Sequence, residues 1–239
     1  VPKIVKENGD NIRAGFKGAG YSWPIITADT IPTPEAYNIS LGGTAGGTLT
    51  INGGELKLGQ YLFMGVSVGE NGTLNVNGGT ITTGTLTPTN AHFMIGQSGS
   101  GTVNMTGGTI DLTANGATGQ LRVAYNAGSS GKLNLAGGVI YAYSLVVNYA
   151  AERAIDLAGG TLVINGDART TVNALIANKR IVGYNDAGTV LVDYDITNPG
   201  KTTVRGYLAN PKAANPTPAS GTAAVSITPT LSWTGGTYA

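Results

Sequence analysis

Acid–base chemistry near neutral pH rests, in this 239-residue chain, on 13 carboxylates and one histidine, His92, with no cysteine. Such a set can cleave glycosidic bonds if two carboxylates face each other, or hold Ca²⁺ if several acids converge. The acids are scattered instead. Asp193 and Asp195 flank Tyr194 on one side of a predicted strand and could hold a cation, but a solvated strand face is the simpler expectation. A single histidine excludes a two-histidine metal site within one chain, and His92 is expected to flank a strand at a loop. The stretch GGTAGGT at 42–48 lacks the lysine and following helix of a phosphate loop. The Ca²⁺-binding pattern G-G-x-G-x-D is absent. Three glycosylation sequons, at Asn38, Asn71 and Asn104, are read as chance in a chain so rich in Asn and Thr. The expectation is a protein with no catalytic residues, no cofactor and no metal, and so not an enzyme.

The elements that carry these residues are repeats. Aligned on a double glycine, they read GTLTINGGEL (47–56), GTLNVNGGTI (72–81), GTVNMTGGTI (101–110), GKLNLAGGVI (131–140) and RAIDLAGGTL (153–162). Successive glycine pairs lie 25, 29, 30 and 22 residues apart. The first four units are followed by a second apolar run: YLFMG (61–65), HFMIG (92–96), LRVAY (121–125) and SLVVN (144–148). Each unit therefore holds about three short strands.

Apolar residues two apart, such as Leu74/Val76 and Leu133/Leu135, point to one side of a strand, and Asn75, Asn104, Asn134 and Asp156 point to the other. One unit has too few apolar groups for a core of its own, whereas stacked units bury a continuous one. The predicted fold class is all-β: a parallel β-helix of about five rungs spaced ~4.8 Å apart. Asn-Gly at 52–53 and 77–78 would also suit two-residue hairpins in an antiparallel array. Against this, Thr106, Ala136 and Ala158 replace the Asn in later units, and length variation falls at one corner, at 84–91 and 113–120.

The units GENGTLNVNGGTI and GSGTVNMTGGTI resemble the Gly-rich β-helical repeats of large secreted bacterial surface proteins, such as autotransporter passenger domains and PEP-CTERM-sorted proteins. The resemblance covers roughly residues 41–205. It implies an exported, multi-domain or polymeric surface protein and supplies no catalytic residues.

The ends are expected to differ from the repeats. Residues 1–40 read as an N-terminal arm and cap, followed by the β-helix domain at 41–208. A cap helix is predicted near 168–180, with Asp167 as its cap and Lys179 and Arg180 in its last turn. AGTVLVDYDI (187–196) and KTTVRGYL (201–208) read as further strands. Residues 209–220 read as a Pro/Ala linker. Residues 221–239 resemble the opening strands of a fibronectin type III or immunoglobulin-like module, which needs about 100 residues. They read either as the start of such a module or as an orphan strand donated to a neighbour. A chain beginning at Val1 predicts a removed leader or upstream region.

Charged residues make up 11% of the chain and the net charge is +1, so no nucleic acid or membrane surface is expected as partner. No apolar run is long enough to insert in a membrane as a helix. The expected location is extracellular or at the cell surface. On the third strand of each rung, Phe63, Met94, Arg122 and Val146 should face outward, a largely apolar stripe of the kind that marks a contact surface. Covered by the N-terminal arm, the stripe is intramolecular; covered by a neighbour, it joins Val225, Ile227, Leu231 and Trp233 of the donated strand in an interface. The expected partner is a second copy of the same protein, giving a filament. The alternative is a carbohydrate-binding or polysaccharide-processing β-helix domain of a secreted multi-domain protein, with surface glycans as partners and Tyr141 and Tyr143 as the aromatic pair considered for it.

Overall fold

Period-two alternation and a glycine corner repeated along the sequence are satisfied together by stacking, and that is what the fold does. The computed structural model describes residues 11–14, 21–26, 35–43, 46–85, 89, 91–209, 214–217 and 232–234. Two compact units divide it, Val1–Tyr207 and Leu208–Ala239.

The first unit is a parallel β-solenoid of about five turns. Its first face holds β2 (Tyr21–Ile26), β4 (Gly47–Ile51), β6 (Asn71–Val76), the opening halves of β9 (Ser100–Asp111) and β11 (Ser130–Ala142), β13 (Ile155–Leu157) and β15 (Ile181–Gly183). The second holds the opening of β5 (Glu55–Met64), β7 (Thr80–Thr82), the closing halves of β9 and β11, and β14 (Thr161–Asn165). The third holds β1 (Asn11–Ala14), β3 (Glu35–Leu41), the end of β5, β8 (Phe93–Ile95), β10 (Gln120–Val123) and β12 (Ser144–Val147). Pairing between rungs is parallel, so the double glycines turn corners and do not close hairpins.

The register stacks like on like. Leu49, Leu74, Val103, Leu133, Ile155 and Ile181 form one buried column, and Leu56, Ile81, Ile110, Ile140 and Leu162 another. Each such residue contributes about 1.5–3 kcal/mol as its apolar side chain leaves water. The corner explains the repeated glycines. Gly54, Gly79, Gly108 and Gly138 have φ of 78°, 81°, 81° and 74°, a left-handed conformation open to glycine. A Cβ on Gly108 would also lie 2.6 Å from the Gly79 carbonyl oxygen of the rung before it. Backbone meets backbone at this corner, and no larger residue fits between.

The segment expected as an arm contributes β1, β2 and β3, which pair in parallel with the strands of faces one and three and so lengthen the ladder. At the other end the ladder changes direction. β17 (Lys201–Tyr207) pairs antiparallel with β14, opposing Val204 to Leu162, and β16 (Thr189–Tyr194) pairs antiparallel with β17. Helix α1 (Arg169–Ala177) adds Val172 and Leu175 to the core, where a cap helix was predicted. Its N-cap is Ala168, while Asp167 accepts the Arg169 N–H at 3.2 Å and pairs with the Arg169 guanidinium at 2.7 Å. Lys179 and Arg180 lie past the last turn. Lys179 takes φ 53° and its N–H donates to Ile176 O, while Arg180 N–H donates to Leu175 O, a closure of two backbone bonds.

In the second unit, β18 (Ala214–Thr217) pairs antiparallel with β19 (Ser232–Thr234). The expected linker therefore contains a strand, and the expected orphan strand has a partner within the same molecule at these three residues. Val225, Ile227 and Leu231 lie outside the described residues. Trp233 falls within β19.

Candidate functional site

Two outward faces carry the side chains that sequence singled out. On face one, Asn75, Asn104, Asn134 and Asp156 occupy one row, as predicted, with Thr50 above them. Asn75 Nδ2 donates to Thr50 Oγ1 at 3.3 Å, Asn104 Nδ2 to Asn75 Oδ1 at 2.9 Å, and Asn134 Nδ2 to Asn104 Oδ1 at 2.7 Å. Asn75 and Asn104 each accept from the rung below and donate to the rung above. Stacked amides of this kind reward in-register parallel pairing. Asp156, which has no amide hydrogen to offer Asn134, instead accepts the Asn185 N–H at 2.9 Å.

A second ladder escaped the sequence. Asn77 Nδ2 donates to Asn52 Oδ1 at 2.7 Å, and Thr106 Oγ1 donates to Asn77 Oδ1 at 3.1 Å. The signal was present, because these residues all precede the double glycine. An Asn before Gly reads as a turn former, and that masked its role as a ladder rung.

On face three the row Phe63, Met94, Arg122 and Val146 forms in the predicted register. Its exposure is not as expected. Phe63, Arg122 and Val146 are half-buried, and Met94 is only 6% exposed. The reason lies in the row beside it, which alternation alone did not weigh. The Tyr61 ring centroid lies 4.8 Å from that of Phe63 and 5.7 Å from that of His92. Arg122 folds down on the surface: its Nε donates to Gln120 Oε1 at 2.7 Å and its guanidinium sits 4.5 Å from the Tyr125 ring centroid. Large side chains above, below and beside Met94 close over it.

His92, directly before β8, is buried; its Nδ1 accepts the Gln120 N–H at 3.2 Å. Burial, and secondarily the nearby Arg122 cation, pull its pKa down to about 4. It is therefore a neutral imidazole at pH 7.

The carboxylates near the turns and the C-terminal strands are engaged locally. Asp193 accepts the N–H and hydroxyl of Thr197 at 3.0 and 2.9 Å, and these bonds hold its pKa below the usual range. Asp195 accepts the Gly200 N–H at 2.7 Å. The two thus shape the turn between β16 and β17. Asp186 pairs with Lys179 at 2.8 Å and Arg153 at 3.4 Å, with its pKa lowered chiefly by the Lys179 bond. Asp111 Oδ1 accepts from the N–H and hydroxyl of Thr113, each at 2.8 Å. Among the described residues no group of three His, Cys, Asp or Glu side chains is placed to hold a metal. No described helix is long and apolar enough to cross a membrane.

Of the sequon asparagines, Asn104 is locked in the ladder and Asn38 Oδ1 accepts the Tyr61 N–H at 2.7 Å, while Asn71 is exposed. Tyr141 is half-buried with Lys201 Nζ 5.5 Å from its ring centroid, and Tyr143 is exposed. No family model, curated protein or solved structure matches this sequence.

Proposed function

We propose that this protein is a non-catalytic structural module of an extracellular or cell-surface assembly, a column that associates sideways with copies of itself. The observation that carries the proposal is the face-three row, where Phe63, beside Tyr61, and Val146, three rungs further on, remain half-buried on an outward sheet surface. Outward polar groups on face one bond to each other along the column and do not converge on a point, which suits a support more than a reaction site. The antiparallel β17 on β14 weighs against growth from that end, and the pairing of β19 with β18 weighs against strand donation by Ser232–Thr234.

Sedimentation velocity and electron microscopy over a concentration series test the proposal. Self-association that Phe63→Lys abolishes without lowering the Tm is the expected result. A wild-type protein that stays monomeric throughout would overturn it. Glycan binding is the second reading, favoured by the adjoining Tyr61 and Phe63 rings, with Gln120 and Arg122 two rungs further along the same face. A glycan array on the monomer distinguishes the two.

A further inference from the structure

We infer that Asn115 is a site of spontaneous chemical modification in the native protein: intramolecular deamidation through a cyclic imide with Gly116. The inference is independent of the self-association proposed above. Asn-Gly occurs at 8–9, 52–53, 71–72, 77–78, 115–116 and 165–166. A glycine after asparagine leaves the attacking peptide nitrogen unhindered. The fold treats the described pairs unequally.

Four of them are built into rungs. The Asn52 and Asn77 amides are bonded to one another at 2.7 Å, and Asn77 accepts from Thr106 as well. Asn71 N–H donates to Gly43 O, and a Cβ at Gly72 would strike the Leu41 carbonyl. Asn165 pairs with Lys201 in β14, and the Gly166 N–H donates to Gly200 O at 3.0 Å. Turning any of these peptides toward its own amide group breaks a rung.

Asn115 and Gly116 are different. They sit exposed in a single turn, Ala114–Gly116, between β9 and β10. Asn115 has φ 55° and ψ 30°, Gly116 has φ 76°, and a Cβ on Gly116 would meet nothing within 4 Å; Gly166 is equally open, but its N–H is held by Gly200 O. The loop is anchored below this tip by Asp111 on Thr113 and by Gly119 N–H on Leu112 O at 3.0 Å. Rotation about the Asn115 Cα–C bond therefore costs one turn and no rung.

The chemistry is self-contained. Hydroxide removes the Gly116 amide proton, and the nitrogen attacks Asn115 Cγ. A new bond forms between Gly116 N and Asn115 Cγ, the Cγ–Nδ2 bond of Asn115 breaks, and ammonia leaves with a proton. Water then opens the imide at either carbonyl to give aspartate or isoaspartate. The sum is water in and ammonia out, with no change in oxidation state. The product removes one unit from the formal net charge of +1.

The test incubates the full-length protein in warm, mildly alkaline buffer, native and in guanidinium, and follows each Asn-Gly by fragment mass spectra. The expected result is conversion at Asn115 at a similar rate in both, with Asn52, Asn71, Asn77 and Asn165 slowed about tenfold or more by folding. Native Asn115 converting no faster than those four overturns the inference. Asn115→Gln should lower native ammonia release by the share that the fragment spectra assign to Asn115, with at most a small fall in Tm at φ 55°, and unchanged release from that folded variant overturns it equally.

Discussion

Face one and face three of the solenoid rest on the same core and solve the same problem in opposite ways. Face one covers its strands with amides that bond from rung to rung, Asn134 to Asn104 to Asn75 to Thr50. Face three covers them with rings, a thioether and a folded-down guanidinium. The first is directional and tied to register, because each amide has one donor edge and one acceptor edge. The second is mainly shape-filling and holds Met94 from water by packed side chains, of which Arg122 is kept in place by its bond to Gln120. One molecule thus shows that an outward row can add stability either by polar linkage or by packing.

The sharpest way to break that contrast is to exchange the chemistries. Met94→Asp puts a carboxylate where 6% exposure leaves little water. Its cost should be the largest of this series, several kcal/mol, visible as loss of the cooperative thermal transition. Asn104→Asp places a charge on the outward ladder and should leave a folded protein.

The next effect is pH dependence on face three. His92 has a folded pKa of about 4 against 6.5 in the unfolded state. Between these values the unfolded state binds the proton first, so stability is complete above pH 6.5 and declines as pH falls toward 4, by at most about 3 kcal/mol. Urea denaturation across pH 4–7 should show this slope, and His92→Gln should flatten it. If His92→Gln keeps the whole slope, the buried neutral imidazole is not its source. Asp186 and Asp193, whose pKa values are lowered, shape the profile at more acid pH, since stability from a lowered carboxylate is lost as pH falls through its folded pKa.

Ladder linkage should be graded. Asn104→Ala removes two amide bonds and Asn134→Ala the one it donates, so the first should cost about 1–2 kcal/mol and the second about half that in chemical denaturation. Equal costs would mean that the amides act singly. The smallest effect lies away from both faces. Lys179→Gly relieves a left-handed φ of 53° and gives up an exposed ion pair with Asp186, for a net gain of about 0.5 kcal/mol in the same assay.

The contrast also marks what sequence alone could read. Period-two alternation and the double glycine placed Asn75, Asn104 and Asn134 in one row, because stacking copies the same position from rung to rung. The same copying placed Phe63, Met94, Arg122 and Val146. It did not give their burial, which depends on the sizes of Tyr61, His92 and Gln120 in the next row. The strands β1 to β3 lack the double glycine, so nothing marked them as rungs. The strand β18 was hidden by prolines at 211, 216 and 218, which read as linker.

The glycine corner has a consequence for how a protein of this kind varies in length. Gly79, Gly108 and Gly138 take nearly the same φ and meet the rung before them in the same way. A segment cut from one such glycine to the next is therefore interchangeable with its neighbours, and its 29 or 30 residues form one complete turn. An in-frame duplication of that segment would insert one storey, raising the column by ~4.8 Å while leaving both ends and every other contact row as they were. A gene built on this corner changes height in whole turns, and the spread of 22 to 30 residues between successive glycine pairs is taken up in the loops, not in the ladder.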